Sequence, residues 1–294
     1  MPFPLMKLPY GLRDRLRQLS TPLETYETEI IAPTFYTPKQ HVKTTTISRE
    51  TVSISGDHNS DPQCTTNLHP SPLPTTPGHL YLVDTDCIVQ FTNFTADFKL
   101  PAVLDYFFLK CMSINFSECV ITPSLIQHIG YMVRRTTKHR VAFDFCQFPP
   151  ETTLDMICDV FRQPCCVHLN GFKAGSDWLP TFMKYNGTDM CHLEFEADAL
   201  AVFDVNPDDL VTFMNKQRSS FRIKITLTDE NLPGDKIMEK LYQLFGTRFD
   251  LRLGCEHTSG RFVRINFLTH SWKFEVCEKP IEARETGWIK PNLA

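Results

Sequence analysis

The chain has 294 residues, of which 42% are hydrophobic and 22% charged, with a formal net charge of -4 and a pI near 6.2. This composition supplies enough apolar side chains for a sizeable core, and it lacks the basic excess typical of proteins that bind nucleic-acid backbones. No apolar segment reaches the roughly 18 to 20 residues that a membrane span requires, and the charges near the start exclude a signal peptide. We therefore expect a cytoplasmic or nuclear protein, not a secreted one, with no nucleic-acid or membrane partner.

The first 32 residues predict a pair of short helices. Leucines at spacings of four, four and three form one stripe of the first helix: Leu8, Leu12, Leu16 and Leu19. The second helix begins with Thr21 as N-cap, Pro22 in the first turn and Glu24 completing a capping box. Two helices of this size cannot bury their apolar stripes alone, so the downstream domain or another protein must cover them.

Residues 33–78 predict a linker, because 22 of these 46 residues are Ser, Thr or Pro. One exception lies at Thr51 to Ile54, where Val52 and Ile54 alternate with polar residues as they would in a strand.

Residues 79–280 predict a domain of strand-helix repeats, followed by a tail at 281–294. Six alternating apolar runs recur at steps of 24 to 30 residues, centred on Phe116, Phe145, Leu169, Phe195, Ile225 and Leu253. A second track with the same period is made by prolines expected to open helices: Pro123, Pro150, Pro180, Pro207 and Pro233. The fold predicted is therefore α/β, a solenoid with a mostly parallel sheet, closed by three further strands after residue 250.

Reactive and metal-binding residues do not form any recognised motif. The eleven cysteines include no Cys-x-x-Cys pair and predict reduced thiols packed as small hydrophobic residues. His168 and His192 lie in neighbouring repeats beside Cys166 and Cys191, where a metal site is conceivable. We interpret the two histidines as exposed polar residues instead, and expect no metal, no cofactor and no catalytic residue.

The outward positions of the repeat strands form the predicted partner-binding face. They are Asn115, Asp144, His168, Asn170, His192, Glu194, Arg222 and Lys224. The alternative, an ordinary solvated sheet face, stays open.

The opening Leu8-Pro9, followed by the leucine stripe, resembles an F-box of the expanded nematode F-box-like families. Phe143-Asp-Phe-Cys146 and Val167-His-Leu-Asn170 resemble the strands of degenerate leucine-rich repeats, the type of C-terminal domain found in those families. The resemblance implies docking on the adaptor of a cullin-RING ubiquitin ligase through a set of apolar residues: Leu8, Pro9, Leu12, Leu16, Leu19 and Leu23.

Together these patterns predict a non-enzymatic protein-recognition module that acts as a substrate receptor of such a ligase. The alternative is a plain interaction or structural repeat protein, whose N-terminal helices pack on its own repeat domain and which has no ubiquitin role.

Overall fold

The computed structural model describes residues 5–32, 35, 42–57, 60–69, 71–74, 76, 78–96, 104–133, 140–185, 189–229, 233–246, 248–252 and 260–277. The chain divides into two compact units, residues 1–161 and 162–294. The predicted repeat domain at 79–280 therefore contributes to both units. The predicted tail at 281–294 and the strand centre Leu253 lie outside the described residues.

Unit 1 contains four described helices and eight described strands. The helices are α1 (Tyr10–Leu19), α2 (Pro22–Ile31), α3 (Pro123–Val133) and α4 (Leu154–Val160). The strands are β1 (Lys43–Ile47), β2 (Thr51–Asp57), β3 (Ser60–Thr66), β4 (His79–Val83), β5 (Ile88–Thr92), β6 (Phe107–Leu109), β7 (Ser113–Ser117) and β8 (Arg140–Asp144).

The strands of unit 1 belong to two sheets. A small parallel sheet has the order β1-β4-β6, and a larger one runs β3-β2-β5-β7-β8. Only the β2–β3 hairpin in this larger set is antiparallel. Strand pairs β1–β2, β4–β5 and β6–β7 each pass from the small sheet to the larger one through a connection of three or four residues.

The predicted linker is wrong for residues 43–57 and 60–66, which form β1, β2 and β3. Val52 and Ile54 are fully buried in β2, so the strand expected at this place is confirmed. The composition of this segment led to the wrong prediction because threonine, a β-branched residue, suits a strand as well as it suits a polar linker. Pairing with β4 provides hydrogen bonds along one edge of β1, and pairing with β3 and β5 provides them along both edges of β2.

The core of unit 1 includes a stack of phenylalanine rings on β5, β7 and β8. Phe91, Phe116 and Phe143 are register partners. The rings of Phe91 and Phe116 lie 5.1 Å apart at 15°, and those of Phe116 and Phe143 lie 4.8 Å apart at 6°. Each strand therefore places the same residue type at the same inward position.

Each of these three strands is followed directly by a residue with positive φ. Asn93 has a φ of 59°, Glu118 of 55° and Phe145 of 54°. This left-handed conformation ends the extended backbone of the strand, and the side chain of Phe145 is 76% exposed. Phe145 was expected to be the inward centre of its strand, which is wrong, because β8 ends one residue earlier at Asp144.

The residue after two of these positions is a buried cysteine whose thiol donates to a neighbouring strand. Cys119 Sγ lies 3.5 Å from the carbonyl oxygen of Phe91, and Cys146 Sγ lies 3.5 Å from that of Phe116. These thiols satisfy carbonyl groups at the point where the chain leaves the sheet. Their structural role agrees with the reduced, packed cysteines expected from the sequence.

Unit 2 contains four described helices and six described strands. The helices are α5 (Trp178–Tyr185), α6 (Ala199–Phe203), α7 (Pro207–Lys216) and α8 (Gly234–Phe245). The strands are β9 (Cys166–Ala174), β10 (His192–Ala197), β11 (Arg222–Leu227), β12 (Phe249–Arg252), β13 (Phe262–Phe267) and β14 (His270–Val276). Within the unit their order is β9-β10-β11-β13-β14-β12.

Strands β9, β10, β11 and β13 are parallel, and β14 runs antiparallel to both β13 and β12. The mostly parallel α/β sheet is thus confirmed, and three strands, β12, β13 and β14, lie in the region where three were predicted. The sixth predicted run, centred on Leu253, was expected to form the next parallel strand beside β11. This prediction is wrong, because β13 occupies that place. Val263 and Ile265 of β13, both fully buried, pair with Ile223 and Ile225 and continue the inward row.

The predicted helix starts agree in part with the structure. Thr21 makes the capping box with Glu24, and Asn206 caps α7, which begins at Pro207. Pro123 begins α3, but Pro233 precedes α8, Pro180 is the third residue of α5, and Pro150 lies four residues before α4. Among the described residues, no helix combines the length and apolar character that crossing a bilayer requires.

Candidate functional site

The outward residues of β9, β10 and β11 form a polar cluster on one face of unit 2. We call it the unit-2 polar face, and it consists of His168, His192, Glu194, Arg222 and Lys224. Strand alternation places them opposite the buried residues Val167, Leu193 and Ile223. The register sets Glu194 between His168 and Lys224, and His192 between Cys166 and Arg222.

The Glu194 carboxylate is the centre of this face. Its Oε2 lies 3.4 Å from His168 Nδ1 and 3.3 Å from His192 Nε2. Its Oε1 accepts a hydrogen bond from Lys224 Nζ at 2.5 Å. Each carboxylate oxygen therefore has its own set of partners, with the imidazoles on one oxygen and the ammonium on the other.

These contacts hold the pKa of the Glu194 carboxyl well below its usual range. The hydrogen bonds from His168 and His192 favour the charged form most, and the Lys224 ammonium adds to them. Together they outweigh the partial burial, which acts in the opposite direction. The Glu194 carboxylate is consequently negatively charged, and it can act as an oxygen ligand but not as a proton donor.

The two imidazoles lie face to face and remain accessible to solvent. The ring centroids of His168 and His192 are 4.6 Å apart at an angle of 27°. The side chains of His168, His192 and Glu194 are 24 to 26% exposed. One ring nitrogen of His168, one of His192 and a Glu194 carboxylate oxygen all lie within 4.8 Å of one another.

A group of three thiols borders the histidines. Cys166 Sγ lies 2.9 Å from Cys191 Sγ, and the Cys191 thiol also donates to the carbonyl oxygen of Cys165 at 3.0 Å. The thiols of Cys165, Cys166 and Cys191 lie within 4.8 Å of one another, and all three residues are half-buried. Burial, together with its cysteine neighbours, raises the pKa of the Cys166 thiol, which favours the protonated form over a nucleophilic thiolate.

Not every residue of the predicted partner-binding face joins this cluster. Asn115 and Asp144 belong to β7 and β8 of unit 1, where Asn115 Oδ1 accepts from the Ser113 hydroxyl at 3.2 Å. Asn170 lies in a bulge of β9, where the register passes from the Leu169–Phe195 pair to the Lys173–Glu196 pair. The bulge includes Gly171 at a φ of 88°.

The predicted adaptor-binding residues divide between the two N-terminal helices. Leu12, Leu16 and Leu19 of α1 are 57, 39 and 65% exposed, and no residue of α1 is buried. Pro9 is exposed and Leu8 is half-buried. Leu23 of α2, by contrast, is 4% exposed and packs with Leu80 and Phe108 of unit 1.

Sequence reasoning placed Cys166 and Cys191 beside the two histidines and Glu194 on the outward face, but it did not bring Glu194 together with the histidines or Cys165 together with the other thiols. The repeat step of 26 residues between Leu169 and Phe195 was a usable signal. The same step aligns Cys166 with His192 and His168 with Glu194, and these are the register partners that the structure brings together. The step was applied to the apolar positions alone, so this set of polar neighbours was missed.

Comparisons with known proteins identify no relative of this chain: no family model, no curated protein and no solved structure matches it.

Proposed function

We propose that this chain is a non-enzymatic protein-recognition module, a substrate receptor that docks on the adaptor of a cullin-RING ubiquitin ligase through α1. The observation that carries the proposal is the exposed leucine stripe of α1, formed by Leu12, Leu16 and Leu19. Burial of each leucine at an interface would contribute about 1.5 to 3 kcal/mol before the cost of association is subtracted. The F-box resemblance of the same residues supplies the partner.

The docking surface in this proposal is smaller than the resemblance implied. Leu23 already packs against Leu80 and Phe108, so its side chain is not available to a partner. Tyr26 packs against the same cluster, with its ring 5.5 Å from that of Phe108. The adaptor contact is therefore restricted to α1 and the residues just before it.

The second part of the proposal is a leucine-rich-repeat-like arrangement of strand-helix coils that binds the substrate. It is supported by the parallel register of β9, β10 and β11, and by the equivalent stacking of Phe91, Phe116 and Phe143. Cys119 and Cys146 give further support, because each thiol donates to a carbonyl oxygen of the preceding strand at an equivalent corner of the chain. In such an arrangement the outward strand residues face the partner.

The packing of α2 favours a second candidate. A plain interaction or structural protein with no ubiquitin role would also bury Leu23 and Tyr26 on its own domain. The exposed stripe of α1 is what separates the two candidates, since a purely structural helix would be expected to cover it.

The test is co-purification of the full chain with the adaptor, comparing Leu16→Asp with the unaltered protein. We expect Leu16→Asp to abolish capture, because it places a charge in the proposed interface, while the thermal midpoint stays within about 2 °C since the site is exposed. Leu200→Asp is the matched control, because Leu200 is an exposed helical leucine on α6. It should leave both capture and stability unchanged.

Leu23→Asp completes the design. It should lower the free energy of unfolding by at least about 3 kcal/mol, because it removes a buried leucine and buries a carboxylate. Capture of the adaptor by Leu16→Asp at the level of the unaltered protein would refute the docking proposal. A large drop in its thermal midpoint would favour the structural candidate instead.

A further inference from the structure

We propose that His168, His192 and Glu194 form a binding site for a divalent transition-metal ion, with Zn²⁺ the best match, on the unit-2 polar face. The inference does not depend on adaptor docking, because it rests on other residues in another unit. It also reverses our own expectation from the sequence, which treated the two histidines as exposed polar residues without a ligand.

The distances between the donor atoms are the first argument. In a tetrahedral Zn²⁺ site with bonds of about 2.0 to 2.1 Å, neighbouring nitrogen and oxygen ligands lie about 3.3 to 3.4 Å apart. Glu194 Oε2 lies 3.3 Å from His192 Nε2 and 3.4 Å from His168 Nδ1. Two of the three edges of the site therefore already have the length that a metal requires.

The third edge joins the two imidazoles. One ring nitrogen of His168 and one of His192 lie within 4.8 Å of each other, so bringing these two atoms to ligand spacing needs a movement of at most about 1.5 Å. The rings are stacked and about one quarter exposed, which leaves room for such an adjustment. The exposure also leaves a fourth position open to water or to a donor group from a partner.

The backbone under the site is fixed by buried neighbours. Val167, Leu169, Leu193 and Phe195 alternate with the three ligands along β9 and β10, and each is at most 4% exposed. His168 and Glu194 are register partners, so the strand spacing sets their separation. Ligands carried by paired strands are held more accurately than ligands on a loop.

Lys224 supports the carboxylate without occupying its metal-facing oxygen. Its ammonium contacts Glu194 Oε1, which leaves Oε2 directed at the imidazoles. Ligating carboxylates in metal sites commonly accept a hydrogen bond of this kind through the other oxygen. Two imidazoles with one carboxylate suit Zn²⁺ and similar ions, whereas Ca²⁺ and Mg²⁺ require sites built from oxygen.

The neighbouring thiols are the competing location for a metal. Sulfur ligands of a tetrahedral Zn²⁺ lie about 3.8 Å apart, given bonds of about 2.3 Å. Cys166 Sγ and Cys191 Sγ are only 2.9 Å apart, and the Cys191 thiol donates to the carbonyl oxygen of Cys165. The thiols would have to separate and give up this hydrogen bond, so the geometry favours the imidazole and carboxylate set.

The test is calorimetric titration of the reduced, metal-stripped full chain with Zn²⁺. We expect saturable binding of about one ion per chain, weakened at least about 100-fold in the His168→Ala/His192→Ala double variant. Glu194→Gln, which keeps the side-chain volume, should also weaken binding. His270→Ala is the matched control, because His270 is an exposed histidine on β14 of the same unit, and it should bind as the unaltered chain does.

Variants of the thiols separate the two locations. Cys166→Ser/Cys191→Ser should retain Zn²⁺ affinity within about threefold, and loss of affinity there would overturn the proposal. Equal affinity in the unaltered chain and the double histidine variant would overturn it as well.

Co²⁺ titration of the unaltered chain decides the matter without any substitution. The expected result is the visible absorption of a tetrahedral ion with nitrogen and oxygen ligands. Intense near-ultraviolet absorption from sulfur-to-cobalt charge transfer would place the ion on the thiols, and absence of both signals would exclude the site.

Discussion

The strands of unit 1 and unit 2 share an inward pattern but use their cysteines differently. Phe116 in unit 1 and Phe195 in unit 2 are both 1% exposed at equivalent inward positions. In unit 1 the thiols of Cys119 and Cys146 are buried and donate to carbonyl groups of the neighbouring strand. In unit 2 Cys166 and Cys191 are half-buried and contact each other.

This difference shows that the apolar repeat fixes the sheet and leaves the chemistry of its edges and outer face free to vary. In unit 1 the thiols at the corners after β7 and β8 form hydrogen bonds within the fold. In unit 2 polar atoms gather on a partly exposed face, where a ligand can reach them.

The largest expected effect is on the shared inner layer. Phe116→Ala should lower the free energy of unfolding by about 3 to 5 kcal/mol, because it removes a ring stacked between Phe91 and Phe143. Urea denaturation measures the change. Phe145→Ala is the control from the next repeat, and should change stability by no more than about 0.5 kcal/mol because this ring is exposed. A large effect at Phe145 would mean that the strand continues past Asp144, as the sequence pattern suggested.

A smaller effect is expected where unit 1 closes its corners. Thr152 is buried, and its hydroxyl donates to the carbonyl oxygen of Ile121 at 2.6 Å. Thr152→Val keeps the side-chain shape but leaves that carbonyl without its donor, and should cost about 1 to 2 kcal/mol in the same urea experiment. Thr212→Val on α7 is the comparison, since its exposed hydroxyl donates only to the helix carbonyl of Asp208. If both variants were as stable as the unaltered protein, the hydrogen bond from Thr152 to Ile121 would make no measurable contribution to stability.

The smallest expected effect, and the sharpest contrast between the units, is in the order in which the cysteines of the native protein react with an alkylating reagent. Cys165, Cys166 and Cys191 should react before Cys119 and Cys146, because only the first group is partly exposed. Hydrogen bonding to Cys119, together with burial, also raises the pKa of the Cys146 thiol and makes this residue less reactive. Mass spectrometry after brief labelling ranks the sites. Equal labelling of both groups would contradict the contrast.

Much of the local structure could be read from the sequence. The capping box at Thr21 and Glu24 and the start of α7 at Asn206-Pro207 were predicted, because capping depends on residues only a few positions apart. The inward rows of Phe116, Phe195 and Ile225 were predicted as well, because alternation is a local property of a strand. Strands β1 and β3, which lie in the predicted linker, were not predicted, because a run rich in threonine and serine becomes a strand only when another strand pairs with it.

The candidate site shows the same limit. His168, His192, Glu194 and Lys224 were all placed on the outward face, but the repeat step was applied only to the apolar positions, so the sharing of one carboxylate was not predicted. The register of β9, β10 and β11 decided this, and register is set by pairing between segments about 26 to 30 residues apart.

The sequence by itself determined the α/β class, the period of the strands and the residues that face the core, since these follow from side-chain periodicity and capping. Only the tertiary structure decided that β13 follows β11, that Leu23 is buried while Leu16 is exposed, and that two histidines meet one glutamate. The physical reason is that periodicity is a property of neighbouring residues, whereas burial and side-chain contacts depend on which distant segments pack together.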